Sequence, residues 1–281
     1  MMEFKYLQPR ADIRTLVGSY YDVSVPDGYE DVMRAEIANI RFVIAGTVHS
    51  DINGQLETYS AGDVIICGPT YQWSNVVFNP GSIIFGAAIT PLGWARMFDV
   101  PAIDLAQSVV PLADYIPADK DALIQAVLDA GDPTARAEQA DALFAALTDP
   151  TRRVHEDFLD IVTAWITNPE PNELDDLLSA VDLSARQVER LTKFYFGSAP
   201  KKLHRKFRAL HSANRLTWQQ LTDWRDIATT AYFDQSHFIR EFKQFNGRTP
   251  SDFINGPHLL VRMTLEERRQ IAHESPFSLV G

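Results

Sequence analysis

Apolar and polar residues follow two rhythms along this chain. In the first ~90 residues, short runs rich in β-branched and aromatic side chains are separated by turn-forming stretches. The runs are Leu16 to Val23, Arg41 to Val48, Asp63 to Cys67, Trp73 to Phe78 and Ile83 to Ile89; Asn53-Gly54 and Asn79-Pro80-Gly81 are among the breaks. Several short strands at close spacing predict a barrel or sandwich. From Trp94 the rhythm turns helical. Ala122, Leu123, Ala126, Val127 and Ala130 share one face, and a further helix is expected over Thr134 to Leu147, started by Pro133 and stopped at Asp149-Pro150. Beyond Pro150 the pattern is helical throughout. The expected fold is α+β and multidomain: residues 1–150 form a β-rich domain with flanking helices at its end, and residues 151–281 an all-α domain.

The helical half repeats itself at a spacing of fifty. That shift pairs Arg190 with Arg240, Lys193 with Lys243, Gly197 with Gly247 and Pro200 with Pro250, and it aligns Val188 with Phe238 and Tyr195 with Phe245. Ser184 meets Asp234, and both are good helix N-caps. Each unit therefore reads as a helix, a turn, a capped second helix and a Gly-x-x-Pro stop, with the units at about 172–197 and 222–247. That is a helix-turn-helix, whose second helix can lie in the major groove.

Helical spacing sorts the second helix of each unit. Val188, Leu191 and Tyr195 point inward in the first, leaving Arg186, Glu189, Arg190 and Lys193 outward; Phe238, Phe242 and Phe245 point inward in the second, leaving Gln235, His237, Arg240 and Lys243. Arg can bond guanine bidentately, Gln can read adenine and Glu can accept from cytosine. Ser184, Lys201, Lys202 and Arg205 are assigned to phosphate; those after Pro200, with Lys206, have packing between helices as the alternative. A plain helical bundle would explain the apolar positions and the caps. It would not explain Arg and Lys at matched outward positions of both copies.

Charge sharpens this picture. The net charge of -11 over 281 residues argues against a nucleic-acid partner only as an average. Residues 1–150 hold 8 Lys/Arg and 20 Asp/Glu, a balance of -12, whereas Ser184 to Arg215 holds nine basic residues and one acid, Glu189, a balance of +8. So dense a cluster attracts phosphate over roughly a Debye length, whatever the other half carries.

The stretches LLSAVDLSARQVERLTKFYFGSAP and DQSHFIREFKQFNGRTPSDF resemble the double helix-turn-helix domain of the AraC/XylS family of bacterial transcription regulators. The resemblance spans Leu177 to Phe253 and implies two recognition helices, joined by a long helix, entering adjacent major grooves of double-stranded DNA. One departure stands out. The second unit runs Ala228-Thr229-Thr230-Ala231-Tyr232-Phe233-Asp234, a residue short and without the glycine usual in its turn. The amino-terminal half is similar to the cupin-like sensor and dimerisation domains such regulators carry. This implies a small-molecule effector, a homodimer, and RNA polymerase as a further candidate partner. Tyr20, Tyr21, Tyr71, Trp73, Phe85 and Trp94 could line a ligand pocket, Tyr20, Trp73 and Phe85 foremost, with a plain β core as the competing role for such aromatics.

Other chemistries lack their residues. There is no GxxxxGK[ST], GxGxxG, HExxH or GxSxG motif. His49 is the only histidine of the first 150 residues, so neither a metal site nor a cofactor is expected there. The lone Cys67, in the apolar run Val64-Ile65-Ile66-Cys67, reads as a buried thiol in a reducing compartment. Met1-Met2-Glu3-Phe4-Lys5 is not the start of a signal peptide and no apolar run reaches ~20 residues, so a cytoplasmic protein without a membrane partner is expected. The expected function is sequence-specific transcription regulation without catalysis. The alternative is a cupin-like or repair-type enzyme carrying a helical DNA-tethering domain.

Overall fold

The computed structural model describes residues 1–52, 54–168, 173–227 and 234–271. Its amino-terminal half is two facing antiparallel sheets. The strands, in chain order, are β1 (Glu3–Leu7), β2 (Val17–Val25), β3 (Tyr29–Met33), β4 (Asn39–Ala45), β5 (Thr47–Ile52), β6 (Gln55–Ser60), β7 (Val64–Cys67), β8 (Ser74–Phe78), β9 (Ser82–Ile89) and β10 (Val109–Pro111). One sheet has the order β1-β2-β9-β4-β7-β10 and the other β3-β8-β5-β6.

Alternation of side chains across the larger sheet builds two layers. Tyr20, Phe42 and Phe85 face helices α1 (Pro91–Met97), α2 (Asp121–Asp129) and α3 (Pro133–Leu147), where they meet Trp94, Val127 and Phe144. Their neighbours Tyr21, Val43 and Ile84 face the smaller sheet, against Val48, Val76 and Phe78. The expected run Arg41 to Val48 is in fact two strands in different sheets. Gly46 makes the switch with φ +72, and a Cβ there would lie 2.7 Å from the Cα of Ser82.

The carboxyl-terminal half is helical: α4 (Glu156–Thr167), α5 (Leu174–Ala180), α6 (Ala185–Phe196), α7 (Pro200–Trp218), α8 (Gln235–Asn246), α9 (Pro250–Asn255) and α10 (Leu259–Ile271). One apolar cluster crosses residue 150, joining Ala35, Ile37, Tyr71, Ala88 and Ala95 to Phe158, Tyr195, Phe207 and Phe245. Another fills the second repeat unit with Ile227, Phe238, Phe242, Phe253, Val261 and Leu265. Among the described residues no helix is long and apolar enough to cross a membrane.

Candidate nucleic-acid interface and the adjoining cavity

The two capped helices of the repeat are α6 and α8. Ser184 caps α6 in a reciprocal box: its hydroxyl accepts from the Gln187 amide, and Gln187 Oε1 accepts from the Ser184 amide at 2.9 Å. Asp234 caps α8 by accepting from Ser236 at 2.9 Å. Both helices end on a left-handed glycine, Gly197 at φ +79 and Gly247 at φ +76, followed three residues later by a proline that opens the next helix.

Val188, Leu191 and Tyr195 are buried, as are Phe238, Phe242 and Phe245. Arg186, Glu189 and Arg190 are exposed on α6, and Gln235, Arg240 and Lys243 on α8. Lys193 Nζ holds Glu189 at 2.6 Å within α6, an exposed pair that water or a base can replace. His237 is half-buried, its Nε2 3.5 Å from Glu241. Among the described residues neither Arg186 nor Arg190 has an ion-pair partner. Their guanidinium groups are left to an outside acceptor.

The cations of α7 divide differently from the phosphate assignment. Lys201 and Lys202 are exposed, with the Lys202 amine 5.2 Å from the centre of the Tyr71 ring. Arg205 instead donates to Glu241 at 2.7 Å and to Gln244 at 3.2 Å. The reason is Glu241, a fully buried carboxylate that must be compensated inside the protein; Arg208 completes that compensation at 2.8 Å. The Ser184 hydroxyl is engaged in its own cap. Lys206 is buried against the other half, donating to the Glu36 carbonyl at 2.6 Å with its amine 4.7 Å from the Tyr71 ring centre. Residues 228–233, which hold the shortened turn of the second unit, lie outside the described residues.

A cavity of about 80 Å³ opens between the two sheets. Val23, Val43, Val76, Phe78 and Ile84 make its walls apolar, and Leu260, Val261, Thr264 and Arg268 of α10 form a further wall. Its charged lining is three arginines and one acid: Arg34, Arg41, Arg268 and Glu36. Arg41 spans Glu36 at 2.5 Å, the Tyr21 hydroxyl at 2.8 Å and Cys67 Sγ at 3.4 Å. Arg268 donates to the Tyr6 hydroxyl at 2.6 Å, and Arg34 to Asn214 Oδ1 at 2.9 Å. Burial, with the nearby Arg268 charge adding to it, pulls the Arg34 guanidinium down to about 9. Burial pushes the Cys67 thiol up, which keeps it protonated and unreactive. Among the described residues no three His, Cys, Asp or Glu side chains gather as a metal site would require.

Residues 177–256 match the family described as a helix-turn-helix domain. This segment is an AraC-type DNA-binding domain. The chain that carries it is a DNA-binding transcription regulator. Among solved structures, ToxT from Vibrio cholerae at 1.65 Å resolution is 10% identical, covering 90% of this chain and 98% of its own, with a TM-score of 0.49. ToxT with a bound unsaturated fatty acid is 11% identical over 90% and 94%, with a TM-score of 0.47. A cupin superfamily protein from Desulfitobacterium hafniense is 11% identical over 32% of this chain and 77% of its own, with a TM-score of 0.26. No curated protein matches the chain.

Of the six candidate pocket aromatics, Tyr21 lines the cavity between the sheets, and the three foremost ones lie elsewhere. Tyr20 and Phe85 are fully buried on the helix-covered face of the larger sheet, and Trp73 is 36% exposed at the surface. In a strand, one residue's displacement changes the face, and it is Tyr21 and Ile84 that reach the cavity. The cavity arginines were not anticipated. Arg41 carries a legible signal, since it interrupts the apolar run Ile40-Arg41-Phe42-Val43-Ile44.

Proposed function

We propose that this regulator reads a specific operator through Arg186, Arg190, Gln235 and Arg240, and that a small, largely apolar anion in the cavity between the sheets controls it. Glu189, Lys193, His237 and Lys243 flank the base-reading positions, and Lys201 and Lys202 meet phosphate. The observation that carries the reading is the pair of capped helices with apolar residues inward and guanidinium groups exposed at matched positions. A bidentate Arg contact with guanine contributes about 1–3 kcal/mol of discrimination. The effector class follows from the lining charge: three guanidinium groups face apolar walls, and the one carboxylate among them is already held by Arg41. An anionic head would compensate that excess and an apolar body would fill the rest. ToxT, described with an unsaturated fatty acid, is bound to a molecule of this class.

In this reading the chain has no catalysis of its own and works in the cytoplasm as a homodimer, because linked copies multiply affinity through effective concentration. Contact with RNA polymerase accompanies it where the outcome is activation. The test is selection of an operator from a random DNA pool, followed by band shifts with wild type and Arg190→Ala. Specific retention by wild type, weakened roughly 5- to 150-fold in the variant, is expected. Equal binding of selected and random DNA by both proteins overturns the reading. For the effector, butanoate is expected to raise the melting temperature and 1-butanol to leave it unchanged.

A further inference from the structure

The stretch Asp31–Glu36, the end of β3 and the start of the loop to β4, faces two ways. Met33, Arg34 and Glu36 line the cavity. The same stretch holds the second unit of the AraC-type domain and the long helix that leads to it. Asp31 pairs with Arg248, and Arg248 also donates to the Val32 carbonyl at 3.5 Å. The Ala35 amide donates to the Phe245 carbonyl, in the last turn of α8, at 2.8 Å. Arg34 reaches Asn214 of α7, and the Glu36 carbonyl accepts from Lys206. Gly247, which closes α8, lies so near the stretch that a Cβ would stand 2.1 Å from Val32 Cγ1. A second route runs through α10, where Val261 lines the cavity and packs with Phe238 and Phe242 of α8.

The first unit is held by other residues. The Phe194 carbonyl accepts from the Ala102 amide at 2.7 Å, the Phe196 carbonyl accepts from the Tyr71 hydroxyl, and Gly197 lies against Pro69 and Ala102. None of Pro69, Tyr71 or Ala102 lines this cavity. Its nearest link runs one loop further, where the Glu36 amide donates to Thr70 Oγ1 at 2.7 Å and the Thr70 amide to the Glu36 carbonyl at 3.0 Å. The two readers are anchored to the same half, but only one is anchored to the walls of the chamber.

We infer that Asp31–Glu36 is a positioning segment for the second recognition helix, so that the state of the cavity alters DNA contacts of α8 while those of α6 stay as they are. The inference rests on the proposed effector-controlled reading of DNA. The experiment is a hydroxyl-radical footprint of the full chain on the selected operator, with the two halves of the footprint assigned by Arg190→Ala and Arg240→Ala. Asp31→Asn removes the ion pair at nearly constant shape, Arg248→Gln removes it from the other side with a shorter side chain, and Met33→Trp crowds the cavity without touching that pair. Each variant is expected to lower protection of the half assigned to Arg240 at least fivefold and to hold the Arg190 half within twofold. Equal change in both halves, or no change in either, overturns the inference while leaving the DNA-binding reading intact. If wild type gives no footprint on any selected DNA, that earlier reading falls first and takes this one with it. Circular dichroism separates unfolding from repositioning, and should the two ion-pair variants unfold, Met33→Trp alone decides.

Discussion

Lys206 shows how one side chain is set by its surroundings. Burial between the halves, opposed by the Glu36 charge, pulls its amine from the ordinary 10.5 down to about 7. Between those values the unfolded chain holds a proton that the folded protein lacks, so stability rises with pH across that window and falls again toward pH 7. The slope approaches about 1.4 kcal/mol per pH unit. Urea melts at pH 7, 8 and 9 are expected to show this rise in wild type and a flatter profile in Lys206→Met. Glu241 shows a different setting, a buried carboxylate in ion pairs with Arg205 and Arg208. Replacing both arginines by alanine is expected to cost about 3–5 kcal/mol in chemical denaturation, because it strips a buried carboxylate of both its guanidinium partners. Neither environment is legible in the sequence. A basic residue on an amphipathic helix looks alike whether it meets phosphate or a buried acid, and the partners of Arg205 and Lys206 lie 36 and 170 residues away.

At the scale of elements, local chemistry was most readable where the chain begins and ends helices. The fifty-residue shift aligns caps, left-handed glycines and opening prolines, and each takes the same backbone role in both units. Ser184→Ala is expected to lower stability by about 1 kcal/mol, checked by thermal melting. Gly247→Ala should cost more than that cap, since it combines positive φ with a close approach to Val32. The strands were read less completely. β1, β3 and β6 carry charged or exposed residues that break the apolar runs, as in Tyr29-Glu30-Asp31-Val32-Met33, so only the central strands stood out. Alternation also fixes which residues share a face but leaves open which face meets the helices, and this is why Tyr20 and its neighbour Tyr21 both stand as pocket candidates in the sequence although only Tyr21 lines the cavity.

On the scale of the whole molecule, the amino-terminal half brings -12 and the stretch around α6 and α7 brings +8. Binding to DNA should therefore be salt-dependent. Lys201→Ala, at an exposed position proposed to meet phosphate, is expected to reduce the slope of log affinity against log salt by about 1 and to weaken selected and random DNA alike. Arg190→Ala should weaken the selected sequence far more than random DNA; fluorescence anisotropy titrations at several salt concentrations distinguish the two outcomes.

The helix Leu259–Ile271 begins beyond the 177–256 match, yet four of its side chains wall the cavity of the opposite half. Cutting this protein into a sensor fragment and a reader fragment would therefore unroof the chamber and strand Leu260 and Val261 in water. Domain-swapped chimeras built at residue 150 would inherit a foreign fourth wall, and with it a ligand preference belonging to neither parent. Specificity for the proposed effector would thus be encoded partly in the helical half of the chain, just past the segment that reads DNA.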